Sequence, residues 1–170
     1  MEKEKLYLDW HDYASFVKGA FKRIKDFGIT DDVAILGIYR GGLPIAVNLS
    51  NLFQTYNKYI PGISIIKYQR LDSKENRIDT FNLKTLIEAK NVIIAEDIID
   101  KGITMVEIID LLKHELKHKE KVMIISFATY DVGVTAVEKA LKELDVEYDI
   151  FSQIKLSSAH VQWVVFPWEF

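Results

Sequence analysis

Ile93-Ile94-Ala95-Glu96-Asp97-Ile98-Ile99-Asp100-Lys101-Gly102-Ile103-Thr104 is the stretch on which the reading of this chain turns. Its apolar start, with Val92 before it, is what a strand buried on both faces requires. Two adjacent acids follow, then a third acid, a glycine and a threonine. Beyond them Met105 to His118 carries apolar residues at helical spacing. A buried strand that passes through a glycine turn into a helix gathers backbone N–H groups at one point, with the helix dipole behind them. From Asp100 to Thr104 these amides make an anion cradle. Gly102 lets the backbone approach a phosphate closely, and the Thr104 hydroxyl can donate to it. Glu96 and Asp97, at the strand end, can accept hydrogen bonds from vicinal ribose hydroxyls or hold a magnesium ion, directly or through water. The plainer alternative is a helix start with Thr104 as its cap and acids favouring the dipole. It serves any single residue equally well, but not three acids around one turn, whose mutual repulsion costs stability unless a cation binds there.

The pattern repeats outward along the chain. Val33-Ala34-Ile35-Leu36-Gly37-Ile38 is a second continuous apolar run, and Tyr39-Arg40-Gly41-Gly42 leads from it into a helix from Leu43 to Phe53, with Pro44 in the first turn. Trp10 to Phe27 reads as a helix stopped by Gly28, and Ile60 to Tyr68 as a strand. Gln69 to Asn82 is polar and aperiodic, the mark of a functional or mobile loop. Val122 to Phe127 reads as a strand, Val132 to Leu144 as a helix, and extended segments lie near Tyr148 to Phe151 and Trp163 to Phe166. Strands alternating with helices predict an α/β fold, a mostly parallel central sheet flanked by helices. Ligands bind such sheets at the carboxyl ends of the strands. The loops after Ile38, Tyr68, Ala95 and Phe127 are therefore where chemistry is expected.

Composition narrows the field. The 170 residues are 49% hydrophobic and 28% charged, without repeat or linker, which suits one domain spanning 1–170. A net charge of −3 with no basic face argues against nucleic acid as a partner. There is no cysteine, so neither disulfides nor thiolate-bound metals enter. No signal-like start and no run of about 18 apolar residues leave no membrane role and a cytoplasmic location as the expectation. His114 and His118 stand four apart, but no third ligand accompanies them, and they read as surface residues of a charged helix.

The stretch Glu96-Asp97-Ile98-Ile99-Asp100-Lys101-Gly102-Ile103-Thr104-Met105 closely resembles the phosphoribosyl pyrophosphate motif of type I phosphoribosyltransferases, above all the branch that salvages 6-oxopurines. The order of elements from about Ile35 onward fits the same family. The resemblance implies a phosphoribosyltransferase fold with a small hood built from terminal segments, and a magnesium-dependent enzyme. The reaction would be transfer of phosphoribose from phosphoribosyl pyrophosphate to hypoxanthine, guanine or xanthine. Glu96 and Asp97 would meet the ribose hydroxyls and the metal. Asp100 would handle the proton at the purine N7, and Asp100, Lys101, Gly102, Ile103 and Thr104 would hold the 5-phosphate. Arg40-Gly41-Gly42 resembles the family's pyrophosphate loop, with Arg40 and Gly41 as its contacts. Lys67, Arg70, Lys74 and Arg77 read equally as pyrophosphate ligands or as a solvated loop. The ending Trp163-Val164-Val165-Phe166-Pro167-Trp168-Glu169 is similar to that of the xanthine-guanine members. There Trp163 would stack on the base and the Val164 backbone would read its edge. Family members form dimers or tetramers, which the resemblance extends to this chain.

Two departures accompany the likeness. Lys101 stands where the family usually has Thr or Ser, and no lysine follows the Ile124-Ile125-Ser126-Phe127 strand to meet a purine 6-oxygen. Tyr130 or Asp131 could act at the base instead, Asp131 favouring a base that presents a donor. A sensor of the same fold without chemistry, or a transferase for another nucleobase, are the alternatives.

Overall fold

Helix-period and short apolar segments alternate along the chain, and most become the element their pattern favours. The computed structural model describes residues 4–69, 77–159 and 162–169. Strand β1 (Lys5–Tyr7) leads into α1 (Trp10–Asp26), β2 (Val33–Tyr39), α2 (Gly42–Asn57), β3 (Gly62–Gln69), β4 (Arg77–Phe81) and α3 (Leu83–Glu88). Next come β5 (Asn91–Ile99), α4 (Ile103–Leu111), α5 (Lys113–Leu116), β6 (Lys121–Tyr130), α6 (Asp131–Lys142), β7 (Glu147–Leu156) and β8 (Trp163–Val165). A 3-10 turn, Pro167–Glu169, follows.

The main sheet has the order β4-β3-β2-β5-β6-β7, parallel except for β4. Strand order runs outward in both directions from the β2–β5 pair. The loops leaving these two strands therefore diverge to opposite sides and open a crevice between them, the usual ligand position in open α/β sheets. Both strands are buried on both faces, which explains their unbroken apolar runs. Val33 and Ile35 enter a core with Phe16, Ile24 and Phe53 from α1 and α2, whereas Ala34, Leu36 and Ile38 face Leu86, Ile108 and Val137 on the other side. Helix α1 begins with a capping box in which the Asp9 carboxylate accepts from the Asp12 amide at 2.8 Å and Asp12 returns the bond at 3.0 Å.

The hood is present. β1 pairs with β8 in parallel, Lys5 opposite Trp163, as a separate two-stranded sheet made from both ends of the described chain. Aromatic packing fixes it to the body. Phe166 and Trp168 stack at 5.2 Å, and Trp168 meets Tyr13 of α1 edge-on at 5.4 Å.

Two expectations need correction. The second half of the Gln69 to Asn82 loop is strand: Arg77–Phe81 pairs antiparallel with β3, Gln69 opposite Arg77. As an edge strand with mostly exposed residues it needs no apolar alternation, so the period-2 signal was missing. Arg70 and Lys74 lie outside the described residues. The helix read from Met105 to His118 divides at Leu112 into α4 and α5. Among the described residues no helix is long and apolar enough to cross a membrane.

Phe127 of β6 stacks on Phe16 at 4.6 Å and also touches Tyr13 and Phe166, joining sheet, α1 and hood. Phe127→Ala should lower unfolding free energy by about 3–5 kcal/mol in urea titrations. A loss below about 1 kcal/mol would mean that this aromatic cluster does not hold the hood.

Candidate functional site

The turn after β2 packs directly against the end of β5. A β-carbon on Gly41 would lie 1.7 Å from Asp97 Oδ2, and one on Gly42 would lie 2.0 Å from the Ala95 carbonyl oxygen. Glycine is required at both because β5 already fills the space. Gly102 has φ +74° and caps the start of α4 without a side chain; that first turn also carries no acid. The amides there have no intrahelical acceptors. Thr104 is inside the helix, so its reading as a cap is wrong, and nothing on α4 competes with an anion for this end. Glu96 to Met105 line a cavity of about 300 Å³.

Gly133, which the sequence did not single out, supports the cradle from behind. A β-carbon there would come within 2.2 Å of the Asp100 carbonyl oxygen. A glycine in the first turns of a helix was the one available signal, since it weakens a helix unless close approach demands it.

Burial governs the acids. Glu96 is 9% exposed, and burial, followed by the charge of Asp97, holds its carboxyl well above the usual range. Its Oε1 accepts the Asp97 amide at 3.0 Å, and Asp97 Oδ1 accepts the Ile98 amide at 2.7 Å. Burial also raises Asp97, and repulsion from Glu169 adds to the effect. Asp100 is exposed, and its carboxylate meets no hydrogen bond or ion pair among the described residues. Arg40 and Lys101 are exposed and equally unengaged among the described residues, so a surface salt bridge does not account for Arg40. Lys67 lies opposite Tyr39 in the β2–β3 register with its ammonium 5.9 Å from that ring, beside the Arg40 turn.

A second cavity, of about 280 Å³, shares Asp97 and Asp100 with the first and is closed by Tyr130, Trp163, Val164 and Glu169. Trp163 is 56% exposed, and its indole packs on no other ring among the described residues. The Trp163 amide donates to Glu4 and the Val165 carbonyl accepts from Leu8. Alternation along β8 leaves the Val164 peptide groups on the edge turned away from β1. The Tyr130 hydroxyl donates to the Gln162 carbonyl at 2.7 Å and accepts its amide at 3.0 Å. It clamps the entry to β8 instead of presenting a free hydroxyl. Asp131 is elsewhere: its carboxylate accepts the Val132 amide and both the amide and hydroxyl of Ser158, which hold it below the usual range. It lines a different cavity, together with Lys155.

Comparison with known proteins identifies the family and the fold. A family model, the phosphoribosyl transferase domain, matches residues 7–170. A purine phosphoribosyltransferase from Pyrococcus horikoshii Ot3 superposes with a TM-score of 0.71 at 22% identity, over 98% of this chain and 95% of that one. A Helicobacter pylori xanthine-guanine-hypoxanthine phosphoribosyltransferase gives 0.67 at 16% identity over 98% and 94%. A Neisseria gonorrhoeae hypothetical protein solved with bound ppGpp gives 0.68 at 16% over 100% and 92%. No curated protein matches the sequence. At these identities the superpositions establish the fold.

An acid whose pKa rises on folding holds its proton more tightly in the native state. The stability it contributes is complete below its unfolded value and is lost as pH climbs toward the raised one. Without divalent cations, Glu96→Gln should therefore gain on the parent in urea midpoint as pH rises from about 5 to 8. A gap that does not widen with pH would contradict an ionisable, buried Glu96.

Proposed function

Because the chain belongs to the phosphoribosyl transferase family, we propose that it transfers phosphoribose from phosphoribosyl pyrophosphate to a 6-oxopurine (hypoxanthine, guanine or xanthine) and releases pyrophosphate. One observation carries the reading: the uncapped cradle and the Trp163 cavity meet at Asp97 and Asp100. A ribose lying between them would have its 5-phosphate on one side and a base on the other. The amides of Lys101 to Thr104 bind the phosphate, and the Lys101 ammonium adds a point charge where a hydroxyl is usual. Asp97 and Glu96 accept from the ribose hydroxyls. Trp163 stacks on the base, the Val164 peptide reads its edge, and Tyr130 positions both by holding Gln162.

Two carboxylates that belong to no three-ligand metal cluster among the described residues suit magnesium shared with substrate oxygens, the ion's usual mode on phosphates. Bound there it would neutralise charge on the departing pyrophosphate. Arg40 and Gly41 bind that group from the turn after β2, and Lys67 from the end of β3. Positioning and charge stabilisation then supply most of the acceleration, with water excluded from the electron-poor sugar. Asp100, exposed and unengaged, exchanges the proton at the base nitrogen.

Pyrophosphate release with magnesium, phosphoribosyl pyrophosphate and each base in turn tests the proposal. Asp100→Asn should lower kcat about 100- to 10,000-fold with little change in KM for phosphoribosyl pyrophosphate. Parental turnover in the variant would remove Asp100 from the chemistry. Binding of phosphoribosyl pyrophosphate without turnover of any base would favour the sensor reading.

A further inference from the structure

Helix α2 carries no charged residue from Gly42 to Asn57, and with α1 it borders a cavity of about 440 Å³. That cavity is larger than either one at the candidate site, shares no residue with them, and has the size of a small-molecule pocket. Trp10, Tyr13 and Lys18 come to it from α1, and Asn48, Asn51 and Thr55 from α2. The rest of the lining is aliphatic, and no residue in it is acidic.

Tyr13 is only 6% exposed, yet its hydroxyl proton has no acceptor among the described residues. Asn48 Nδ2 donates to the Pro44 carbonyl at 2.9 Å and to the Tyr13 oxygen at 3.1 Å. A carbonyl only accepts, so this amide cannot be turned round, and Tyr13 receives the bond instead of giving one. Burial pushes the phenol up to about 12, so it keeps its proton. A buried donor in this position gains from any ligand that brings it an acceptor.

The other donors are also unspent. Lys18 is exposed and makes no ion pair among the described residues, and the Asn51 carboxamide makes no hydrogen bond there. The acceptors of the lining, two carboxamide oxygens and the Thr55 hydroxyl, are all neutral. Trp10 is 60% exposed and meets Tyr13 edge-on at 5.7 Å, with no ring lying flat on it among the described residues. An open indole face beside an aliphatic floor suits a flat ring.

We propose that the cavity between α1 and α2 binds a small aromatic carboxylate, with its ring on Trp10 and its oxygens on the Tyr13 hydroxyl and the Lys18 ammonium. One cation and one buried donor match a monoanion, whereas a phosphate dianion would leave charge unmatched. The site stands independently of the phosphoribosyl transfer reading.

Indole-3-acetate and its neutral counterpart indole-3-acetamide are the probes, titrated by calorimetry and by NMR of the Asn side-chain amides. The acid should bind saturably, move the Asn48 and Asn51 signals, and bind at least about threefold tighter than the amide. Lys18→Gln should abolish that preference. Tyr13→Phe, which keeps the ring, should weaken both probes at least about fivefold. Melting temperatures establish that each variant is folded, and the exposed Lys18 decides the matter alone if Tyr13→Phe is not. Absence of saturable binding, a preference that survives Lys18→Gln, or parental affinity in a folded Tyr13→Phe would overturn the inference.

Discussion

The contact on which the site depends is between two glycines and the end of β5. Gly41 and Gly42 have no side chains because the Asp97 carboxylate and the Ala95 carbonyl occupy the space those side chains would fill. This contact is possible only where the strand order reverses, since the loops leaving β2 and β5 diverge there and leave a crevice. Arg40 is thereby carried to the rim of a crevice whose floor is Glu96 and Asp97. The same crowding recurs at Gly133, where α6 presses on the carbonyl of Asp100 and fixes the cradle from behind.

Such packing leaves the site strained in charge rather than in shape. Glu96 is buried and Asp97 half-buried, so ionisation is opposed by burial first and by neighbouring acids second. At the adjoining helix start the imbalance is reversed: α4 begins without a side-chain cap and without an acid in its first turn. Among the described residues these carboxylates form no ion pair, and they stand beside a helix start with no side-chain cap. A ligand with ribose hydroxyls, phosphate and an accompanying cation answers both needs together.

Much of this could be read in the sequence. β2 and β5 announce themselves as continuous apolar runs because both faces are covered, and Gly102 marks the left-handed turn that opens α4. The periodicity of α1 is clear because one face meets the core and the other meets solvent. Less legible were features that depend on distant partners. β4 is an exposed edge and α3 buries little beyond Leu86, so neither leaves a strong pattern. Nothing local in Tyr130 says that its hydroxyl is committed to Gln162, 32 residues away, nor in Asp131 that Ser158 claims it. The hood joins β1 to β8 across nearly the whole chain, so the resemblance supplied it and periodicity did not.

The central claim is that the amides from Lys101 to Thr104 bind the 5-phosphate of a phosphoribosyl group. Backbone amide chemical shifts, followed by NMR during titration with ribose 5-phosphate and separately with ribose, test it most directly. The account predicts saturable shifts concentrated on Lys101, Gly102, Ile103 and Thr104 with ribose 5-phosphate, and none there with ribose. Shifts that avoid this turn, or that are the same for both sugars, would contradict it.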